Sequence, residues 1–145
     1  MKALIQRVKR ASVTIDSKLY SKIDEGMLVL LGVEKGDSVE NADKLIDKLV
    51  KLRIYEDENL KMNKSLLDVN GEMLIVSQFT LCGDCKKGTR PSFDKSAPPE
   101  IANNLYEYFI NKAKSYNISV KTGQFGAMME VELLNDGPVT FMIEK

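Results

Sequence analysis

The chain has 145 residues, 43% of them hydrophobic and 29% charged, with 21 basic and 21 acidic side chains and no histidine. That is enough chain for one domain around a single core, and zero formal charge argues against a protein that coats nucleic acid by counterion release. The missing imidazole excludes Ser-His-Asp and Cys-His catalysis, histidine metal sites and imidazole general base chemistry near neutral pH.

No apolar run approaches the ~20 residues that a membrane span needs. Met1-Lys2-Ala3-Leu4 leads straight into an expected strand rather than a signal peptide. A single domain over residues 1–145, in the cytoplasm and with no membrane partner, is therefore expected. Lys2 to Val8 alternates weakly and continues through Ala11, Val13 and Ile15, which predicts one long strand or two strands broken near Lys9-Arg10. Lys18 to Ile23 follows as a strand after a turn at Asp16-Ser17. Beyond a second turn at Asp24-Glu25-Gly26, the apolar run Met27 to Val33 fits a strand buried on both faces, the expected centre of the sheet.

Gly36-Asp37-Ser38 supplies N-cap residues for a helix from Val39 to about Leu52. Val39, Ala42, Leu45, Ile46, Leu49 and Val50 recur there at helical spacing, while Lys44, Asp47, Lys48 and Lys51 face water. Arg53-Ile54-Tyr55 reads as a short strand with its turn at Asp57-Glu58-Asn59. Leu60 to Asp68 is ambiguous, and Ser65-Leu66-Leu67 could form a single helical turn. Asn70-Gly71 is a turn signal that launches a strand from Glu72 to Leu81.

From Cys82 to Pro99 no periodicity is visible, and a loop of this length in a small domain is usually functional. It holds the densest basic cluster of the chain, Lys86, Lys87 and Arg90, which reads either as a solvated loop or as a contact for phosphate or RNA. Pro98-Pro99 opens a second helix with Ile101, Leu105, Tyr108, Phe109 and Ala113 along one face. Ile118 to Thr122 is a strand, and Gly123-Gln124-Phe125-Gly126 turns into another from Ala127 to Leu134. A turn at Asn135 to Pro138 precedes the last strand, Val139 to Ile143. About seven strands and two main helices predict an α+β fold with a mostly antiparallel, barrel-like sheet.

Three stretches could carry chemistry. Cys82-Gly83-Asp84-Cys85 has C-x-x-C spacing but does not open a helix after a βαβ unit, and without histidine a protein zinc cage would need carboxylates. It reads as two incidental thiols, so no metal or cofactor is expected. In Leu74 to Leu81 a buried strand runs into polar Ser77, Gln78 and Thr80. A hydroxyl nucleophile there would lack a histidine base, whereas consecutive backbone N–H groups at Phe79 and Thr80 could face an oxyanion. In Asn135-Asp136-Gly137-Pro138-Val139-Thr140, Pro138 removes a donor, presses Gly137 toward extended geometry and makes a cis peptide accessible, so the turn offers carbonyl oxygens.

Ser77-Gln78-Phe79-Thr80-Leu81, Lys87-Gly88-x-Arg90-Pro91-Ser92-Phe93 and Asn135-Asp136-Gly137-Pro138-Val139-Thr140 together resemble the D-aminoacyl-tRNA deacylase family. Arg7-Val8-x-x-Ala11-Ser12-Val13 and Gly123-x-Phe125-Gly126-Ala127-x-Met129 extend the resemblance in order over the whole chain. It implies a homodimeric hydrolase that cleaves the ester of D-aminoacyl-tRNA to free D-amino acid and tRNA, as chiral proofreading. Ser77, Gln78, Phe79 and Thr80 would form the catalytic segment, with Phe79 and Thr80 nearest the scissile carbonyl. Gly137 and Pro138 would be a Gly-cisPro element that each subunit inserts into its partner's site, where it rejects L-aminoacyl esters; Met129 and Phe125 would also bind substrate. Lys86, Lys87 and Arg90 would hold the tRNA. A wall of backbone does not exclude glycine, so glycyl-tRNA is expected to be cleaved too. The alternative expectation is a non-catalytic tRNA-binding module. Cys82 and Cys85 lie outside these motifs.

Overall fold

Strict alternation in the strand Gly26–Gly32 divides the protein into two layers: Met27, Val29 and Leu31 face one core, Leu28 and Leu30 the other. The computed structural model describes residues 1–145. In chain order the elements are β1 Lys2–Ile15, β2 Lys18–Ile23, β3 Gly26–Gly32, α1 Val39–Lys51, β4 Tyr55–Glu56 and β5 Met62–Lys64. They continue with β6 Glu72–Ser77, a 3-10 turn Phe79–Cys82, α2 Pro99–Lys114, β7 Val120–Thr122 and β8 Glu130–Glu144. No helix is long and apolar enough to cross a membrane.

As expected, β3 is central, antiparallel to β1 on one side and parallel to β6 on the other, with β7 parallel to β6 beyond it. The two parallel pairings make the sheet mixed, because β6 and β7 are each reached through a helix and a crossover of that length returns in parallel. β2 pairs with the second half of β1, and β8 runs antiparallel along β1's other edge. The sheet curls until β2 meets β7, where Ser21 Oγ donates to Thr122 O at 2.7 Å across the seam. The result is an α+β fold with a nearly closed, barrel-like sheet.

The larger core lies between sheet and helices. Ala3, Ile5, Met27, Val29 and Leu31 pack there on Leu45, Ile46 and Leu49 of α1 and on Leu105, Tyr106 and Phe109 of α2. The smaller one fills the barrel with Val8, Ala11, Val13, Ile23, Leu28, Leu74 and Val76. The inward stripe of α2 is Ala102, Leu105, Tyr106, Phe109, Ile110 and Ala113, at helical spacing. Ile101, expected on that face, is instead exposed. Tyr108, also expected there, turns its hydroxyl to Asp43 Oδ1 at 2.9 Å.

Several expected boundaries move. β1 is one strand, but Ala3 and Ile5 face the helices whereas Ala11 and Val13 face the barrel, so the strand changes face near Lys9-Arg10, where its register with β8 also slips. Met62–Lys64 forms β5 against β4, and Ser65 onward is a hydrogen-bonded turn in which Val69 N donates to Ser65 O at 3.2 Å. β6 stops at Ser77 rather than Leu81, because the chain coils back over the end of β3. Gly32 permits this approach: a Cβ there would lie 3.1 Å from Leu81 Cβ and from Cys82 Sγ.

The last two expected strands are a single strand, β8. Val8 pairs with Asn135 and Gln6 with Thr140, leaving Arg7 alone opposite Asp136, Gly137, Pro138 and Val139. The stretch expected as a turn is therefore a bulge that never leaves the strand, and its Gly137–Pro138 peptide bond is cis.

Gly26 sits where β3 and β6 begin to pair, and a Cβ there would fall 1.9 Å from Glu72 O. Gly26→Ala is expected to cost about 3 kcal/mol and to lower the melting temperature by roughly 10 °C, read by thermal circular dichroism. A variant melting together with its parent would contradict this close approach.

Candidate active site

Beyond the end of β6 lies a cavity of 490 Å³. Ser77, Gln78 and Phe79 line it from one side, Ser96, Ala97, Pro99 and Ala102 from the start of α2, and Phe125 to Met129 with Val131 from the approach to β8. Not one of its lining residues is ionisable. Five residues expected from sequence meet here: Ser77, Gln78, Phe79, Phe125 and Met129.

Two devices hold the cavity open. Gly123 N continues the β6–β7 ladder by donating to Ile75 O at 2.9 Å, and its missing side chain lets Met129 in, since a Cβ would lie 2.6 Å from Met129 Sδ. The Tyr106 hydroxyl donates to Ile75 O at 2.9 Å, with Gly123 O 3.3 Å away, and its ring packs on Phe125 at 5.9 Å. Burial pushes this phenol's pKa upward, so it stays neutral. Tyr106 was not legible as a site residue, because the helical pattern placed Tyr108 on the inner face.

The catalytic segment expected from sequence is split by its own geometry. Gln78 N donates to Leu31 O at 2.7 Å, Leu81 N to Gln78 O at 3.2 Å and Gly83 N to Thr80 O at 3.0 Å. Bonding within the 3-10 turn thus begins at Leu81. The amides of Phe79 and Thr80 precede it, at the positions where a helical turn has no internal acceptor. Thr80 is exposed and does not line the cavity. Its Oγ1 accepts from Gln78 Nε2 at 2.5 Å, so the hydroxyl's partner is an amide rather than a base.

The neighbouring thiols are free. Cys82 is buried with its Sγ 3.5 Å from Val33 O, and burial, reinforced by Glu34, pushes its pKa up. Cys85 is exposed. A thiol held protonated in this way is a poor nucleophile.

Lys86, Lys87 and Arg90 project from an exposed loop whose neck is closed by Asp84 N to Ser92 O at 2.8 Å and Ser92 N to Asp84 O at 3.0 Å. Lys44, Lys51 and Lys64 elsewhere are paired with carboxylates, but the three loop cations are in no ion pair.

Gly137 and Pro138 are exposed and do not line the cavity of their own chain. Arg7, 6% exposed, braces them from behind. Its Nε lies 3.1 Å from Asp136 O and 2.9 Å from Asp136 Oδ2, and its guanidinium also donates to Ile54 O at 2.7 Å. Asn135 Nδ2 bridges Arg7 O at 3.0 Å and Val139 O at 3.2 Å. Arg7 opened one of the sequence motifs, but nothing in the sequence said that it braces the corner. A more open recess of 610 Å³ beside the corner has a mixed-charge lining that includes Arg7, Lys9, Glu25, Glu56 and Asp136.

Comparison with known proteins bears on this arrangement. The family model described as D-Tyr-tRNA(Tyr) deacylase matches residues 4–144. A D-aminoacyl-tRNA deacylase from Thermosipho africanus is 59% identical over 99% of this chain and 97% of its own length. One from Geotalea daltonii is 59% identical over 99% and 96%, and one from Clostridioides difficile 56% over 99% and 97%. A solved structure titled c-Myc DNA unwinding element binding protein superposes with TM-score 0.95 at 42% identity, covering all of this chain and 99% of that one. Another, titled a probable eukaryotic D-amino acid tRNA deacylase, shares the fold with TM-score 0.84 at 16% identity over 99% and 98%.

Two outcomes test the geometry. In the native protein Cys85 is expected to react quickly with a thiol reagent and Cys82 only on unfolding; equal fast reaction of both would contradict the burial described. Arg7→Ala leaves Asp136 and the Ile54 carbonyl without their partner and is expected to cost about 2 to 3 kcal/mol, read as a lower urea midpoint.

Proposed function

We propose that this chain, which belongs to the D-aminoacyl-tRNA deacylase family, hydrolyses the ester between a D-amino acid and the 3′-terminal ribose of tRNA, as a chiral proofreading enzyme. The supporting observation is the cavity itself. Segments far apart in sequence, 77–79 and 125–129, converge on a space with no ionisable wall. Chemistry there has to come from main-chain dipoles, water and the substrate. Water adds to the ester carbonyl, the carbon–oxygen bond to ribose breaks, and the ribose oxygen takes the proton. The amides of Phe79 and Thr80 donate to the oxyanion as it develops. The terminal 2′-hydroxyl of the tRNA helps to activate the water, in place of the absent base. Ser77 and Gln78 position the ester, Phe125 and Met129 shape the aminoacyl side of the cavity, and Lys86, Lys87 and Arg90 hold the RNA.

The working form is a homodimer in which Gly137-Pro138 of one protomer completes the cavity of the other. Two features support it. The corner is exposed, firmly braced and outside its own chain's cavity. The outer edge of β8 is unpaired and carries exposed Leu134, Phe141 and Met142, an edge that asks for cover. Main-chain oxygens of the corner accept from the substrate ammonium, and the same backbone occupies the space an L side chain would need. Glycine has no side chain to exclude, so glycyl-tRNA is a second substrate.

A deacylation assay tests the reading. D-Tyrosyl-tRNA is expected to be cleaved at least ~1,000-fold faster than L-tyrosyl-tRNA, beyond what a methylene-sized difference in a pocket provides; equal rates, or no cleavage of either, would contradict it. Glycyl-tRNA spared at high enzyme concentration would contradict the wall. Thr80→Ala is expected to retain kcat within about tenfold, whereas a substrate with 2′-hydrogen loses ~100-fold or more. The reverse pattern would make Thr80 the nucleophile.

A further inference from the structure

Phe79 lines the cavity, and Phe93 stands against it outside, with ring centroids 5.0 Å apart and planes tilted by 59°. Both rings are solvent-exposed, by 56% and 38%. Their surroundings are nevertheless tied down. A Cβ on Gly83 would lie 3.0 Å from the Phe93 ring, so that ring rests on bare backbone. Ser96 N donates to Phe93 O at 2.9 Å and Ser96 Oγ to Phe79 O at 3.5 Å. The loop bearing unpaired Lys86, Lys87 and Arg90 enters and leaves within a few residues of this pair, between Asp84 and Ser92.

An exposed aromatic pair is completed by something flat and apolar. Three free cations on the adjoining loop require the same partner to carry negative charge. A nucleobase on a sugar-phosphate chain meets both requirements, and stacking on aromatic rings is how unpaired bases are commonly held.

We propose that Phe79 and Phe93 form a stacking platform at the rim of the cavity for an unpaired base of the RNA 3′ tail, the one preceding the terminal nucleotide. The proposal rests on the deacylase reading, because it takes the cavity to be occupied by the terminal aminoacyl-nucleoside. The chain then leaves the cavity across Phe79, lays its next base face-on against the Phe93 ring with the tilted Phe79 ring at its edge, and turns its phosphates toward Lys86, Lys87 and Arg90. Base identity is not read, since every base has a π face.

Phe93 is the residue to change, being outside the cavity. Phe93→Leu keeps apolar bulk on Gly83 but removes the ring, and Phe93→Trp restores a ring. With D-tyrosyl-tRNA, Phe93→Leu is expected to raise KM roughly tenfold at unchanged kcat, and Phe93→Trp to match or improve on the parent. With D-tyrosyl-adenosine, which has no preceding base, kcat/KM of all three proteins should agree within about twofold. Equal losses on both substrates, or an unchanged KM for the tRNA ester, overturn the platform. Affinity for uncharged tRNA, measured by fluorescence anisotropy, makes the same comparison without turnover, with Phe93→Leu expected to bind about tenfold more weakly. If the parent protein cleaved neither ester, the deacylase reading would fall, and the platform would stand or fall on this binding difference alone.

Discussion

One guanidinium organises the C-terminal half of the sheet. Where β1 and β8 lose register, Arg7 stands alone opposite Asp136, Gly137, Pro138 and Val139, and its buried charge has to be matched there. A charge out of water is tolerated only with well-placed partners, so the Asp136 carboxylate, the Asp136 carbonyl and the Ile54 carbonyl are drawn onto it. Asn135 closes the other side of the bulge. The surplus backbone is thereby held outward as a firm corner instead of a loose loop. β8 changes face across the same bulge: Val131 and Leu133 pack on the barrel interior, Val139 and Ile143 on the helix-side core.

At the end of β6 the opposite economy applies. No charge is invested in the cavity, and the glycines decide its shape: Gly32 lets the 3-10 turn close over β3, Gly83 seats Phe93 and Gly123 admits Met129. Tyr106 ties α2 to the buried ends of β6 and β7. Under the hydrolysis proposed above, a site built in this way would act through main-chain dipoles whose positions depend on packing, and would leave discrimination to steric fit against backbone.

Legibility in the sequence followed the range of the forces involved. β2, β3 and α1 lie almost where the sequence puts them, because the unbroken apolar run Met27 to Leu31 and the stripe Ala42, Leu45, Ile46, Leu49 record burial directly. The sequence of β8 reads as two strands because Asn, Asp, Gly and Pro carry turn chemistry locally, whereas the strand is kept whole by pairing with β1, more than a hundred residues away. The sequence of β6 reads as a longer strand because Phe79, Thr80 and Leu81 are good strand residues, and only the approach to Gly32 coils them. On α2 the buried stripe keeps Leu105, Phe109 and Ala113 but is turned so that Tyr106, not Tyr108, points inward. Of the site, Ser77, Gln78, Phe79, Phe125 and Met129 were legible through motifs and do meet at the cavity. Ala102 and Ser96 were not, since an alanine and a serine in such contexts signal nothing until the fold brings them to the same wall.

If the corner of one protomer and the cavity of another make a single working site, two damaged proteins should complement each other: Gly137→Val, which alters the corner, and Ala127→Trp, which fills the cavity. Each is expected to be inactive alone on D-tyrosyl-tRNA, while refolding an equal mixture should restore about a quarter of parental activity, since half the symmetric pairs would be mixed and each would carry one intact site of two. A mixture as inactive as its components, or a Gly137→Val protein active by itself, would contradict the claim.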